Sequence, residues 1–152
     1  MPNRWFVDFD DTLATGPITW AVDHVLPNFI QENQLNSDSD QLSRAILDAQ
    51  KKENQGVDHK HILNDLFETL GWPLALQERL YTSVMTSFRP ELFDDVIPFL
   101  NNIRDSKQPI YVISNNPRSV QIGEKLGINR YFNGWFTPVE SEGIQPKPHR
   151  SL

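Results

Sequence analysis

The sequence contains no cysteine. That absence excludes disulfides, thiolate nucleophiles and cysteine-ligated zinc, and it fits a reducing compartment. Long apolar runs are also missing, so no segment reaches the length needed to cross a bilayer. The opening residues Met1-Pro2-Asn3-Arg4-Trp5 lead only into a short apolar stretch, without the hydrophobic core of a signal peptide, and a cytoplasmic location is expected. Nor is there a block of basic residues. With 14 Lys and Arg against 20 Asp and Glu, the net charge is −6, which argues against binding to nucleic acid or to a membrane surface. No internal repeat and no low-complexity tract occurs.

What is present suffices for a packed core. Hydrophobic residues make up 38% of the 152 positions, and 9 Phe, 4 Trp and 3 Tyr supply bulk. The length suits one ordinary domain, or a small core with an inserted subdomain. An acidic chain that handles an anionic substrate needs a local cation to offset repulsion, and a divalent metal ion is the usual solution.

The pattern along the chain alternates. Residues 5–9 are nearly all apolar up to a burst of acids, and they read as a strand buried on both faces. Gly16-Pro17 then interrupts. Ile18, Val22, Val25, Leu26, Phe29 and Ile30 share a helical face, with Pro27 as a kink or break. Leu42, Ala45, Ile46 and Ala49 repeat the spacing after a Ser37-Asp38-Ser39-Asp40 capping cluster. Ile62, Leu63, Leu66, Phe67 and Leu70 do so again up to Gly71, and Leu76, Leu80, Val84 and Phe88 mark a fourth helix. These helices follow one another without a strand, as a small bundle inserted into something else. After Arg89-Pro90, Val96, Ile97, Leu100 and Ile103 predict another helix, with Asp94 and Asp95 at its start. Residues 109–113 predict a second buried strand. Asn116 and Pro117 are suited to begin a helix that runs to about Leu126 and ends at Gly127. A third strand is expected at 134–137. Strand, helical insert, helix, strand, helix, strand is an α/β order, which favours parallel strands.

In open parallel sheets, ligands bind beyond the carboxyl ends of the strands. Two polar clusters fall there: Asp8-Phe9-Asp10-Asp11-Thr12 and Ser114-Asn115-Asn116. Alternate residues of an extended segment point the same way, so Asp8 and Asp10 can present two carboxylates to one site. Paired carboxylates attract a hard cation, and magnesium takes oxygen ligands. Each cluster also has an ordinary reading, since Asp and Ser commonly close turns and a Lys beside prolines is commonly solvated. His24, His59, His61 and His149 show no metal-binding spacing and read as surface or insert residues. Trp20, Trp72 and Phe29, at helical spacing, read as packing groups before pocket-lining ones.

Phe6-Val7-Asp8-Phe9-Asp10-Asp11-Thr12-Leu13 resembles the first motif of the haloacid dehalogenase (HAD) superfamily, an apolar strand ending in D-x-D-x-T. Ile113-Ser114-Asn115 resembles the second, and Lys147-Pro148 the third. The 106 positions from Asp8 to Ser114 leave room for a helical cap, and the 33 from Ser114 to Lys147 for a helix and a strand. The resemblance implies a HAD-like parallel α/β core from residues 1–16 and 90–152, with a helical cap at 17–89. It also implies a magnesium-dependent phosphohydrolase acting on a small phosphate ester through an aspartyl-phosphate. Asp8 would be the nucleophile and Asp10 the acid and base, with Thr12 supporting Asp10. Ser114, Asn115 and Lys147 would bind the phosphoryl group, the backbone near Asn115 doing so at a helix N-terminus. Asp8 and Asp10 would hold Mg2+.

The family has a fourth motif, one or two acids after a further strand, and this sequence ends at Leu152 without it. The expectation is a shortened or fragmentary core with poor magnesium affinity. Its first strand would be an apolar edge available for self-association. The alternative reading is a non-catalytic HAD-like binding or assembly module. A 2-haloacid dehalogenase is disfavoured by the second acid, Asp10, whereas a phosphomutase would retain both acids.

Overall fold

The computed structural model describes residues 3–137. Its secondary structure begins with strand β1 (Trp5–Val7). Helices α1 (Pro17–His24), α2 (Leu26–Glu32), α3 (Ser39–Asn54), α4 (His59–Leu70) and α5 (Gln77–Ser87) come next, α5 entered through a 3-10 turn at Leu74–Leu76. Helix α6 (Val96–Asp105), strand β2 (Ile110–Ile113), helix α7 (Ser119–Lys125) and strand β3 (Gly134–Phe136) complete it. The chain divides into two compact units: one is Pro17–Arg89, and the other comprises the segments on either side of it.

The flanking unit is built on a three-stranded sheet in the order β1-β2-β3. Both pairings are parallel, with Trp5 opposite Ile110, Val7 opposite Val112, and Ile113 opposite Phe136. Alternation sends Val7, Ile110, Val112 and Trp135 to one face. There they pack in a core with Phe9, Leu13, with Val96, Leu100 and Ile103 of α6, and with Ile128 and Tyr131. The strand order follows from two crossover connections, one carrying the helical unit and α6 and the other α7, which bring each parallel strand beside the one before it.

The opposite face differs from the expectation for the first strand. Phe6, which points there, is 53% exposed, so β1 is not buried on both sides. Phe6 stacks on Tyr111 at 5.5 Å between ring centroids, and Tyr111 meets Phe136 at 5.9 Å. This aromatic row crosses all three strands on the half-exposed face. A near-continuous apolar run has two explanations, burial on both faces or burial on one with aromatics laid across the other, and periodicity alone does not separate them. Among the described residues β1 is also an edge strand.

The chain leaves and re-enters this unit at one place. Thr15 N–H donates to Glu91 O (3.0 Å) and Phe93 N–H to Leu13 O (3.3 Å), with an antiparallel bridge between Ala14 and Leu92. The entry and exit segments are thereby clasped side by side.

The helical unit follows its capping signals. The predicted interruption at Pro27 falls where α1 gives way to α2, with Pro27 near the start of α2, where a missing N–H costs nothing. Asp38 caps α3, its carboxylate accepting from Gln41 N–H at 3.2 Å. Asp58 caps α4 in the same manner, accepting from Lys60 N–H at 3.1 Å. Gly71 ends α4 at φ +64°, a conformation that favours glycine. Phe29, Phe67, Leu70, Trp72 and Leu80 form the buried core, with Phe67 edge-on to Trp72 at 5.5 Å. Trp20, Trp72 and Phe29 are all buried, which is the packing role read from their spacing. Lys52 bridges α3 and α4, 2.6 Å from Asp48 and 2.7 Å from Asp65. Hydrogen bonds to Asp48 and then Asp65 hold its ammonium pKa above the ordinary value.

Candidate active site

The site begins where β1 stops. The strand ends at Val7, and Phe9 accepts three backbone hydrogen bonds on its carbonyl, from Thr12 (3.3 Å), Leu13 (2.8 Å) and Ala14 (3.2 Å). Asp11 N–H donates in turn to Ala14 O at 2.8 Å. This tight turn is anchored by Phe9 and Leu13, 0% and 2% exposed, which plug the core from above. Asp8 and Asp10 are half-buried on either side of Phe9, and Asp11 and Thr12 are exposed.

The three acids are not equivalent. Asp11 sits at φ +55°, a region where Asp is better tolerated than most side chains. Its carboxylate accepts from Gly16 N–H at 2.9 Å and lies so close that a side chain at position 16 would meet it at 3.0 Å. Asp11 is therefore a turn-closing residue. Asp8 Oδ1 accepts from the N–H of Phe9 at 2.9 Å, which orients its carboxylate locally.

Asp10 has a longer reach. Its Oδ1 accepts from Asn116 Nδ2 at 3.1 Å, across 106 positions of sequence. Because β1 and β2 are adjacent and parallel, their carboxyl ends lie side by side, and this bond joins the two predicted polar clusters directly. The sequence places Asn116 in the second polar cluster and as a helix cap, without a role of its own in the site. Its site role had one available signal: an amide two residues past the end of the strand next to the acidic one. Asn116 Oδ1 also accepts from Arg118 N–H (2.9 Å), so the side chain is held at both ends.

Ser114 is 2% exposed, and its Oγ accepts from Asn116 N–H at 3.1 Å, while its own N–H donates to Phe136 O at 3.0 Å. It both closes the turn and stands at the carboxyl end of the central strand. Asn115, half-buried, lies within the same turn. The helix expected to start at Asn116 begins instead at Ser119, with Arg118 as its N-cap residue. The side chain of Asn116 favours a local turn over the first helical turn, so the backbone near Asn115 is turn and not helix N-terminus. Lys147 lies outside the described residues.

Asp8 and Asp10 offer hard carboxylate oxygens, the donors magnesium takes while keeping several waters. Among the described residues no group of three His, Asp or Glu side chains gathers as a metal site. His24, His59 and His61 are spent elsewhere: His24 on the Trp20 carbonyl, His59 on Glu53, His61 beside Asp58.

A small parallel sheet whose first strand ends in D-x-D-x-T, interrupted by a helical unit before the second strand, is the HAD-like fold. No family model and no curated protein sequence matches the chain. Solved structures do. A hydrolase from Streptococcus pneumoniae superposes with a TM-score of 0.64 at 20% identity, over 97% of this chain and 72% of that one. The protein described as the HAD-hydrolase YfnB from Bacillus subtilis, bound to magnesium, gives 0.61 at 18%, over 90% and 65%. One described as a phosphoglycolate phosphatase from Haemophilus somnus gives 0.58 at 16%, over 94% and 65%. At these identities the likeness is one of fold, and the chain spans roughly two thirds of each matched structure's length.

Proposed function

We propose that the chain is a phosphohydrolase acting on a small phosphorylated metabolite, with Asp8 as nucleophile and Asp10 as general acid and base. The observation that carries this reading is the Asp10–Asn116 hydrogen bond at the carboxyl ends of adjacent parallel strands in a HAD-like fold. It supports a site shared by the two polar clusters.

In this reading a carboxylate oxygen of Asp8 attacks phosphorus in line with the ester oxygen, forming an aspartyl-phosphate and expelling the alcohol. Asp10 delivers a proton to the leaving oxygen, then removes one from the water that hydrolyses the acyl-phosphate. The Asn116 amide fixes one oxygen of Asp10 and so orients the carboxylate for that transfer. Ser114, Asn115 and Lys147 bind the phosphoryl oxygens, and Thr12 steadies the turn that carries Asp10. Mg2+ held by Asp8 and Asp10 would supply charge neutralisation for the phosphoryl group. The helical unit, residues 17–89, is proposed to select the substrate, and the exposed β1 edge to serve self-association.

The test is hydrolysis of p-nitrophenyl phosphate by the full chain with and without Mg2+. Activity that depends on the metal is expected, and Asp8→Asn should lower it by roughly 10³-fold or more. The alternative is a non-catalytic HAD-like module. Absence of turnover under every metal condition would establish it in place of the enzyme.

A further inference from the structure

The acidic chain has a basic corner. Helix α6 ends in Arg104 and Asp105, and the loop to β2 contains Lys107, whose N–H donates to Arg104 O at 2.9 Å. Arg130 stands in the 3-10 turn Asn129–Tyr131 that precedes β3. The two segments are clasped at the amino ends of the strands. Asn133 N–H donates to Ile110 O at 2.7 Å, and Ile110 N–H to Asn133 Oδ1 at 2.9 Å. Arg104, Lys107 and Arg130 thereby share one corner with Asp105, at the end of the sheet away from Asp8 and Asp10.

Tyr131 organises the two arginines. Its ring is buried, and its hydroxyl donates to Asn101 Oδ1 at 3.1 Å. The guanidinium carbons of Arg104 and Arg130 lie 5.4 and 5.2 Å from the centre of that ring, and Arg130 Nη2 reaches the hydroxyl at 3.5 Å. The ring attracts a cation through its π electrons, so most N–H donors on both guanidinium edges remain unspent. Arg104 meets Asp105 only through Nε at 3.6 Å, with both side chains more than half exposed, which is a weak pair. Arg130 makes no ion pair among the described residues. Anchoring on a buried ring also lowers the side-chain entropy that two free surface arginines would lose on binding.

The charge count selects the ligand. One carboxylate matches one guanidinium, whereas a phosphate monoester carries about −1.5 to −2 at pH 7 and three acceptor oxygens, which suits two forks and a nearby ammonium. A nucleic acid needs a longer basic track, and the chain as a whole stands at −6. We propose that Arg104 and Arg130, with Lys107 beside them, form a site for the phosphoryl group of a small molecule, free phosphate or a monoester, separate from the candidate active site. This site does not depend on the phosphohydrolase reading.

The experiment titrates the full chain, carbon-labelled at arginine, with inorganic phosphate and separately with propyl phosphate, at about pH 8 and against sodium chloride of matched ionic strength. Saturable shifts of the Arg104 and Arg130 Cδ–H resonances are expected, with those of Arg44 and Arg79 in the helical unit unmoved. Equal affinity for the two ligands would make free phosphate sufficient, and tighter binding of propyl phosphate would assign the site to a monoester. Arg104→Gln and Arg130→Gln should each weaken binding about tenfold, the scale of one charge-assisted hydrogen bond, with the circular dichroism spectrum unchanged. Asp8→Asn should leave the affinity at this corner as it is, which separates the site from the catalytic one. Shifts that rise linearly or equally at every arginine, unchanged affinity in both folded Gln variants, loss of binding with Asp8→Asn, or tighter binding of a thymidine octanucleotide at the same arginines would each overturn the proposal.

Discussion

The three acids of the Asp8–Asp11 turn illustrate how identical chemistry is divided by local geometry. Asp11 is occupied with the Gly16 N–H and sits at positive φ, so its contribution is to stability. Asp11→Ala should lower stability by about 1–3 kcal/mol in urea unfolding, because it orphans a partly buried N–H and places alanine at φ +55°. Asn116 makes the opposite case. Asn116→Leu removes the amide that orients Asp10 and should cost about 10²-fold in kcat for phosphate-ester hydrolysis. The thermal midpoint should fall only modestly, since the group is half-buried. Equal kcat in the two proteins would show that Asp10 needs no such support.

Among the elements, α7 is the one whose position depends on a missing side chain. Gly123 is buried, and a methyl group placed there would come within 2.8 Å of the Trp135 ring. Trp135 in turn packs against Phe9 at 5.6 Å between ring centroids, and Phe9 shapes the turn bearing Asp8 and Asp10. Gly123→Ala should therefore destabilise by about 1–3 kcal/mol, despite alanine's better helix propensity, because a close-packed core resists overfilling. Differential scanning calorimetry would read this as a lowered Tm. An unchanged or raised midpoint would mean that α7 can shift outward without loss. Helix starts were only partly legible in the sequence. Asp38 and the Pro27 break behave as their residue types dictate, whereas Asn116 spends its side chain on a turn and delays α7 to Ser119.

For the molecule as a whole, the consequential surface is the β1 edge and the aromatic row beside it. Phe6 is 53% exposed on an edge strand whose backbone groups can template pairing with another copy. Sedimentation equilibrium of the full chain should show concentration-dependent association, which Phe6→Lys weakens by placing a charge on that edge. A strictly monomeric unsubstituted chain would remove the self-association proposal. No helix among the described residues is long and apolar enough to cross a membrane.

The sequence by itself determined the α/β order, the helical interruption between the first two strands, and the two polar clusters at strand ends. These follow from period, breaker residues and the burst of acids after an apolar run, all local properties of the chain. Only the tertiary structure decided which acid serves the turn, that Asn116 reaches Asp10, and that the first strand is covered on one face alone. Those outcomes depend on which strand lies beside which and on how far a side chain must reach across the gap. Such information is carried by contacts between residues about a hundred positions apart, and no local pattern encodes it.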